Sequence, residues 1–134
     1  MKEVQPIRDT KKIDVMKSIM KGESNYRDLL LFVLGINTGL RISDILALKW
    51  GSFITGGGRL LKAGEQLNVV EIKTKKIKSF MINRSVAEAL KLYHDSLGSV
   101  NPDDPVFSSR KTDDGTLQPI TRIAAWQLLN RYAH

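Results

Sequence analysis

Apolar residues fall into blocks that alternate in period along the chain. Ile13, Met16, Ile19 and Met20 recur at helical spacing after a possible cap at Asp9 or Thr10, and Gly22 stops the pattern. A second helix is expected from Tyr26 to about Asn37, capped by Ser24 or Asn25. Its stretch from Leu29 to Ile36 is apolar on every side, as in a centrally buried helix. Gly39 fits the left-handed position after its end. A third, shorter helix is expected from about Ser43 to Lys49, with Ile45, Leu46 and Leu48 inward.

The pattern then changes. Residues 51 to 64 contain Gly56-Gly57-Gly58 and Gly64 and read as a flexible turn. They lack the Gly-Lys-Ser/Thr ending of a phosphate-binding loop. Leu67 to Ile72 and Lys78 to Ile82 are strand-like runs, close enough for an antiparallel hairpin with the basic tip Lys73-Thr74-Lys75-Lys76-Ile77. Ser85-Val86-Ala87-Glu88 has the spacing of a capping box and opens a helix to about Leu97, with Ala89, Leu90, Leu92 and Tyr93 on its apolar side. Val106-Phe107 is a short extended piece between loops, the second of which holds residues 108–115. A last helix starts at Pro119-Ile120-Thr121 and carries Ala125, Leu128, Leu129 and Tyr132 on one face. The fold expected is α+β, mainly helical with a small antiparallel hairpin.

A length of 134 residues suits one domain, and a 42% hydrophobic content gives it a real core. No apolar run reaches the roughly 18 residues of a membrane span, and residues 1–6 do not resemble a signal peptide. The absence of cysteine excludes disulfides and thiolate metal sites and fits the cytoplasm. A net charge of +7 favours a polyanionic partner.

Arg41 lies between two buried segments, where a guanidinium held rigidly grips phosphate oxygens in pairs and stays charged at any working pH. It is either that or a helix-start arginine facing solvent. Asp44, one turn on, is placed to orient Arg41 or to sit favourably in a first helical turn. Lys73, where the first strand meets the hairpin tip, is a candidate proton donor. Lys75, Lys76 and Lys78 make the same tip a backbone-contacting surface. Asp103-Asp104 and Asp113-Asp114 lie in loops that turn chemistry explains, so no metal is expected. His94 reads as a helix-end residue.

Thr38-Gly39-Leu40-Arg41-Ile42-Ser43-Asp44-Ile45 followed by Leu48-Lys49-Trp50 resembles the first-arginine motif of the tyrosine recombinases, the phage-integrase family. Val70-Glu71-Ile72-Lys73-Thr74-Lys75 is similar to its hairpin with the catalytic lysine. Phe107-Ser108-Ser109-Arg110-Lys111, then Ile120-Thr121-Arg122, resembles the segment before its second half. The resemblance runs from about residue 6 to the end.

The resemblance implies site-specific breaking and rejoining of double-stranded DNA through a 3′-phosphotyrosine, without metal or nucleotide cofactor. Arg41 would be the first of two arginines on the phosphate, Lys73 the general acid, and Asp44 the bracing acid. Lys75, Lys76, Lys78, Arg110 and Lys111 would touch DNA. The family's His-x-x-Arg motif and nucleophilic tyrosine find no match, since Tyr26, Tyr93 and Tyr132 fall elsewhere in the pattern. Residues 1–134 are therefore expected to be the N-terminal portion of the catalytic domain, competent to bind DNA but not to cut it, with self-assembly on DNA left to the full-length protein. The alternatives are a non-catalytic DNA-binding or regulatory protein on this fold and an enzyme like the type IB topoisomerases.

Overall fold

A computed structural model describes residues 10–23, 25–111 and 117–133, with side chains described except at residues 10, 109–111, 117, 118 and 131–133. Helix α1 spans Thr10–Gly22, α2 Tyr26–Thr38, α3 Ile42–Leu46, α4 Arg84–Leu97 and α5 Arg122–Ala133. Strands β1 (Gln66–Val70) and β2 (Ile77–Met81) form one antiparallel pair, and β3 (Ser108–Lys111) and β4 (Leu117–Pro119) another. The architecture is α+β and mainly helical, as the periodicities indicate.

Helix α2 is the centre of the core. Leu29, Leu30, Leu31, Phe32, Val33 and Leu34 are all buried, and α1, α3, α4 and α5 all pack against this helix. Full burial of each such side chain is worth about 1.5–3 kcal/mol, so this run is a large contributor to the stability of the fold. Met16 and Met20 bring α1 onto α2, with Ile13 partly buried beside them. Ile19, inward by its spacing, is 40% exposed, since the stripe that packs is narrower than the sequence pattern.

Two expectations are corrected at α3 and α4. Helix α3 ends at Leu46, and Trp50–Phe53 form a separate 3-10 turn that buries Trp50 and Phe53. At α4 the cap is Asn83, not Ser85. The Asn83 side chain accepts from Val86 N–H at 2.9 Å and donates to Asn37 Oδ1 at 2.7 Å, which ties the start of α4 to the end of α2. Ser85 and Glu88 are drawn away to α1, where Lys17 donates to Ser85 at 2.8 Å and Lys21 pairs with Glu88.

The glycine-rich stretch is a bonded turn. Thr55 N–H donates to Arg59 at 2.8 Å and Gly58 N–H to Thr55 at 2.9 Å. Arg59 grips Glu65 with two bonds of 2.7 and 2.9 Å. Residues 108–111 also depart from expectation, forming a strand where the sequence predicts a loop. Their polar sequence carries no alternation, and backbone pairing with β4 makes the strand. Ile120 N–H donates to Phe107 O at 2.8 Å beside it.

In the first hairpin Val70 pairs with Ile77 and Leu67 with Phe80. Leu67 and Val69 face the core, and Gln66, Asn68 and Val70 face out.

Candidate active site

Arg41 is held by its backbone before its side chain acts. Gly39 ends α2 at φ 66° and ψ 14°, a left-handed conformation that a Cβ makes costly. Thr38 Oγ1 donates to Leu34 O at 2.7 Å and accepts from Leu40 N–H at 3.2 Å. Arg41 then caps α3, its carbonyl accepting from Asp44 N–H at 3.0 Å and Ile45 N–H at 3.1 Å. Its side chain is exposed. A charge between two apolar runs thus becomes a solvent-facing guanidinium on a fixed stem.

Asp44 is 3% exposed, and its Oδ1 accepts from the backbone N–H of Ile72 at 2.9 Å. Its carboxylate therefore bonds the hairpin, and its connection to Arg41 runs through the backbone of the α3 cap. This one bond joins the helix that presents Arg41 to the turn that presents Lys73.

That turn is closed by Glu71. Its N–H donates to Lys76 O and its carbonyl accepts from Lys75 N–H, both at 2.9 Å. Its side chain accepts from Thr74 Oγ1–H at 3.0 Å and lies 3.3 Å from the Lys78 ammonium. Glu71 is 8% exposed. The Thr74 bond holds its carboxyl below the usual range against the opposing pull of burial, and Lys78 and then the Arg41 charge add to the effect. Lys73, Lys75 and Lys76 are exposed around this closed turn. Lys75 sits at φ 60°, uncommon for a residue with a side chain. Lys78 is engaged with Glu71, so its ammonium is less free to meet an anion than those of Lys73, Lys75 and Lys76.

The structure thus brings Arg41, Asp44, Lys73, Lys75, Lys76 and Lys78 to one region. The side chains of Arg110 and Lys111 lie outside the described residues, as do Asp113 and Asp114. Arg27 anchors the nearby strand, donating to Ser108 O at 2.8 Å. Asp103 and Asp104 are turn residues, their N–H groups donating to Asn101 at 2.9 Å. Among the described residues no group of three or more His, Cys, Asp or Glu could hold a metal ion.

His94 packs edge-on against Trp50 with ring centroids 5.7 Å apart. Tyr93 is buried, stacks at a tilt 5.3 Å from Trp50, and donates its hydroxyl to Val106 O at 2.7 Å. Burial pushes its phenol up from the ordinary value. Tyr26 opens α2, about 18 Å along the helix axis from the end that leads to Arg41. The Tyr132 side chain is not among those described.

Reading the sequence missed Glu71. The signal was present, because Leu67, Val69 and Glu71 share the parity of the inward face of β1.

The family model described as "Phage integrase family" matches residues 9–134, and the chain belongs to that family. The chain is also similar to "Probable integrase/recombinase YoeC" of Bacillus subtilis (strain 168), 33% identical over 130 residues, which is 97% of this chain. It spans 63% of the length of that relative.

Proposed function

We propose that the protein acts as a site-specific recombinase on double-stranded DNA, through a covalent 3′-phosphotyrosine. Arg41 neutralises charge that builds on the scissile phosphate, in the manner of a preorganised oxyanion site. As the tyrosine oxygen releases its proton to water and bonds to phosphorus, the bond from phosphorus to O5′ breaks and its electron pair stays on O5′. Lys73 supplies the proton to that oxygen. Asp44 braces both by holding the hairpin to α3. Lys75, Lys76, Lys78, Arg110 and Lys111 contact the phosphate backbone. The energy of the broken strand is kept in the covalent link, so the reaction needs no metal or nucleotide cofactor. The protein works in the cytoplasm and self-assembles on DNA in its full-length form.

The observation that supports this reading best is the 2.9 Å bond from Ile72 N–H to Asp44, which couples the elements carrying Arg41 and Lys73. A further part of the proposal is that residues 1–134 bind DNA weakly and do not cleave it, because Tyr93 is committed to Val106, Tyr26 opens the far end of α2, and the sequence spacing of Tyr132 groups it with the apolar Leu128 and Leu129. A nicked suicide duplex tests both parts. The full-length protein is expected to trap a covalent adduct that Arg41→Ala abolishes, and residues 1–134 are expected to trap none. An adduct on residues 1–134 would overturn the second part, and an adduct that survives Arg41→Ala would overturn the first.

The placement of these tyrosines favours a second reading, a non-catalytic DNA-binding protein on this fold. Binding of duplex DNA by the full-length protein with no covalent adduct on any suicide substrate would select it. Relaxation of supercoils without site preference would instead select the topoisomerase-like reading.

A further inference from the structure

We propose that Glu71 is a positioning residue for Lys73: its buried carboxylate closes the turn over residues 71–76 through Thr74 and thereby sets where the Lys73 ammonium is presented. The inference rests on the reading of Lys73 as the proton donor.

The geometry points to Glu71 from several directions. Its backbone N–H and carbonyl are both used across the turn, to Lys76 and Lys75 at 2.9 Å. One side-chain oxygen takes the Thr74 hydroxyl at 3.0 Å, and that hydroxyl in turn accepts from Lys76 N–H at 3.2 Å. The other oxygen faces Lys78 at 3.3 Å. Every bond of Glu71 lands on the segment that surrounds Lys73. The neighbouring residue Ile72 is bonded to Asp44 on the opposite side. Lys73 therefore stands between two anchored points, one on each buried carboxylate.

A buried carboxylate is costly unless its oxygens are bonded, so a plain β-strand end has no use for one at this place. The outward positions Val70 and Ile77 carry apolar side chains that are 57% and 69% exposed, while the inward position carries the charge. This inversion of the usual pattern is explained if the inward charge is what shapes the turn. Lys75 at φ 60° is the backbone strain that the closure sustains.

A DNA substrate with sulfur in place of the leaving O5′ provides the test. A thiol is far more acidic than an alcohol, so the thiolate leaves without a proton donor. In the full-length protein, Glu71→Ala is expected to slow cleavage of ordinary DNA about 10- to 100-fold, the scale of a misplaced group. It is expected to cleave the sulfur substrate at close to the unsubstituted rate. Lys73→Ala is expected to show the same rescue with a larger initial loss. Glu71→Gln, which keeps an acceptor for Thr74, is expected to fall between Glu71→Ala and the parent. Thr74→Val removes the same bond from an exposed site and provides the check should Glu71→Ala fail to fold; it is expected to show the same rescue. Equal loss on both substrates for Glu71→Ala and Thr74→Val would overturn the positioning role and leave Lys73 untouched. Failure of the sulfur substrate to rescue Lys73→Ala would overturn the acid reading itself.

Discussion

The Asp44 carboxylate and the Ile72 backbone N–H meet at 2.9 Å, and through this bond helix α3 and the first hairpin hold one another. Asp44 is 3% exposed while Ile72 is 48% exposed, so removing the carboxylate loses a charge-assisted bond and lets water reach the N–H. Asp44→Ala is expected to lower stability by about 1.5–3 kcal/mol, the worth of a hydrogen bond to a charged group. Asp44→Asn keeps an acceptor and is expected to be milder. Urea titration of the two variants checks the order, and an Asn variant as damaged as the Ala variant would show that charge, not the hydrogen bond, matters there.

The basic residues of the hairpin should separate by role. Lys73→Ala in the full-length protein is expected to abolish cleavage while leaving DNA affinity nearly unchanged. Lys75→Ala and Lys76→Ala are expected to weaken binding and to lower the salt slope by about one for each phosphate no longer neutralised. Lys78→Ala is expected to weaken binding less than either, because its ammonium lies 3.3 Å from Glu71. Binding isotherms over a range of salt, beside a cleavage assay, check all four. Equal effects on cleavage from Lys73, Lys75 and Lys76 would show that the wrong lysine has been assigned.

Acid should act on this domain through its paired glutamates. Glu65 is bonded twice by Arg59 and once by Lys62 N–H at 2.6 Å, which brings its carboxyl down to about 2 from an ordinary 4.5. A carboxyl whose folded value is depressed adds stability above its unfolded value and loses it as pH falls through the folded value. Glu65 therefore contributes fully above 4.5, and its contribution fades between 4.5 and about 2. Glu71 shifts in the same direction. Arg59→Ala is expected to lower stability modestly above 4.5, where the exposed pair contributes, and to match the parent near 2, so that its stability falls less across that acid window. Thermal melts of parent and variant at several pH values check it. A variant as acid-sensitive as the parent would place the titration elsewhere.

The frame and part of the site were legible because they rest on local rules. The uninterrupted run from Leu29 to Leu34 has no outlet except a central helix, and Gly39 marks where it stops. The basic hairpin shows itself by two β-rich runs at short separation. What stayed hidden depends on distant partners. Ser85 and Glu88 have the spacing of a capping box, but Lys17 and Lys21 on α1 claim them and leave Asn83 to cap. The strand at Ser108–Lys111 has no apolar alternation and exists by backbone pairing with β4. Asp44 reads in sequence as a partner for Arg41, because sequence distance favours the nearer charge. The fold brings Ile72, 28 positions away, within bonding distance instead.

Gly39 gives the sharpest test of how Arg41 is placed. Its φ of 66° belongs to the left-handed region, its N–H donates to Gly35 O at 3.2 Å, and apart from its chain neighbours nothing lies within 4 Å of where a Cβ would stand. A side chain at Gly39 thus meets no clash, and only the backbone conformation opposes it. Gly39→Ala is expected to cost about 1–2 kcal/mol, the penalty for a left-handed residue with a Cβ. Gly39→Asn is expected to cost less, since asparagine tolerates that region. Because Arg41 follows two residues later on the same turn, relief of strain by a backbone shift would move the guanidinium. Cleavage by the full-length protein is therefore expected to fall further in Gly39→Ala than its stability loss explains, and to recover in Gly39→Asn. Denaturant titration and single-turnover cleavage, measured on both variants, separate the two effects. If Gly39→Ala loses stability yet cleaves like the parent once folded, the turn serves only to end α2, and Arg41 is positioned by α3 alone.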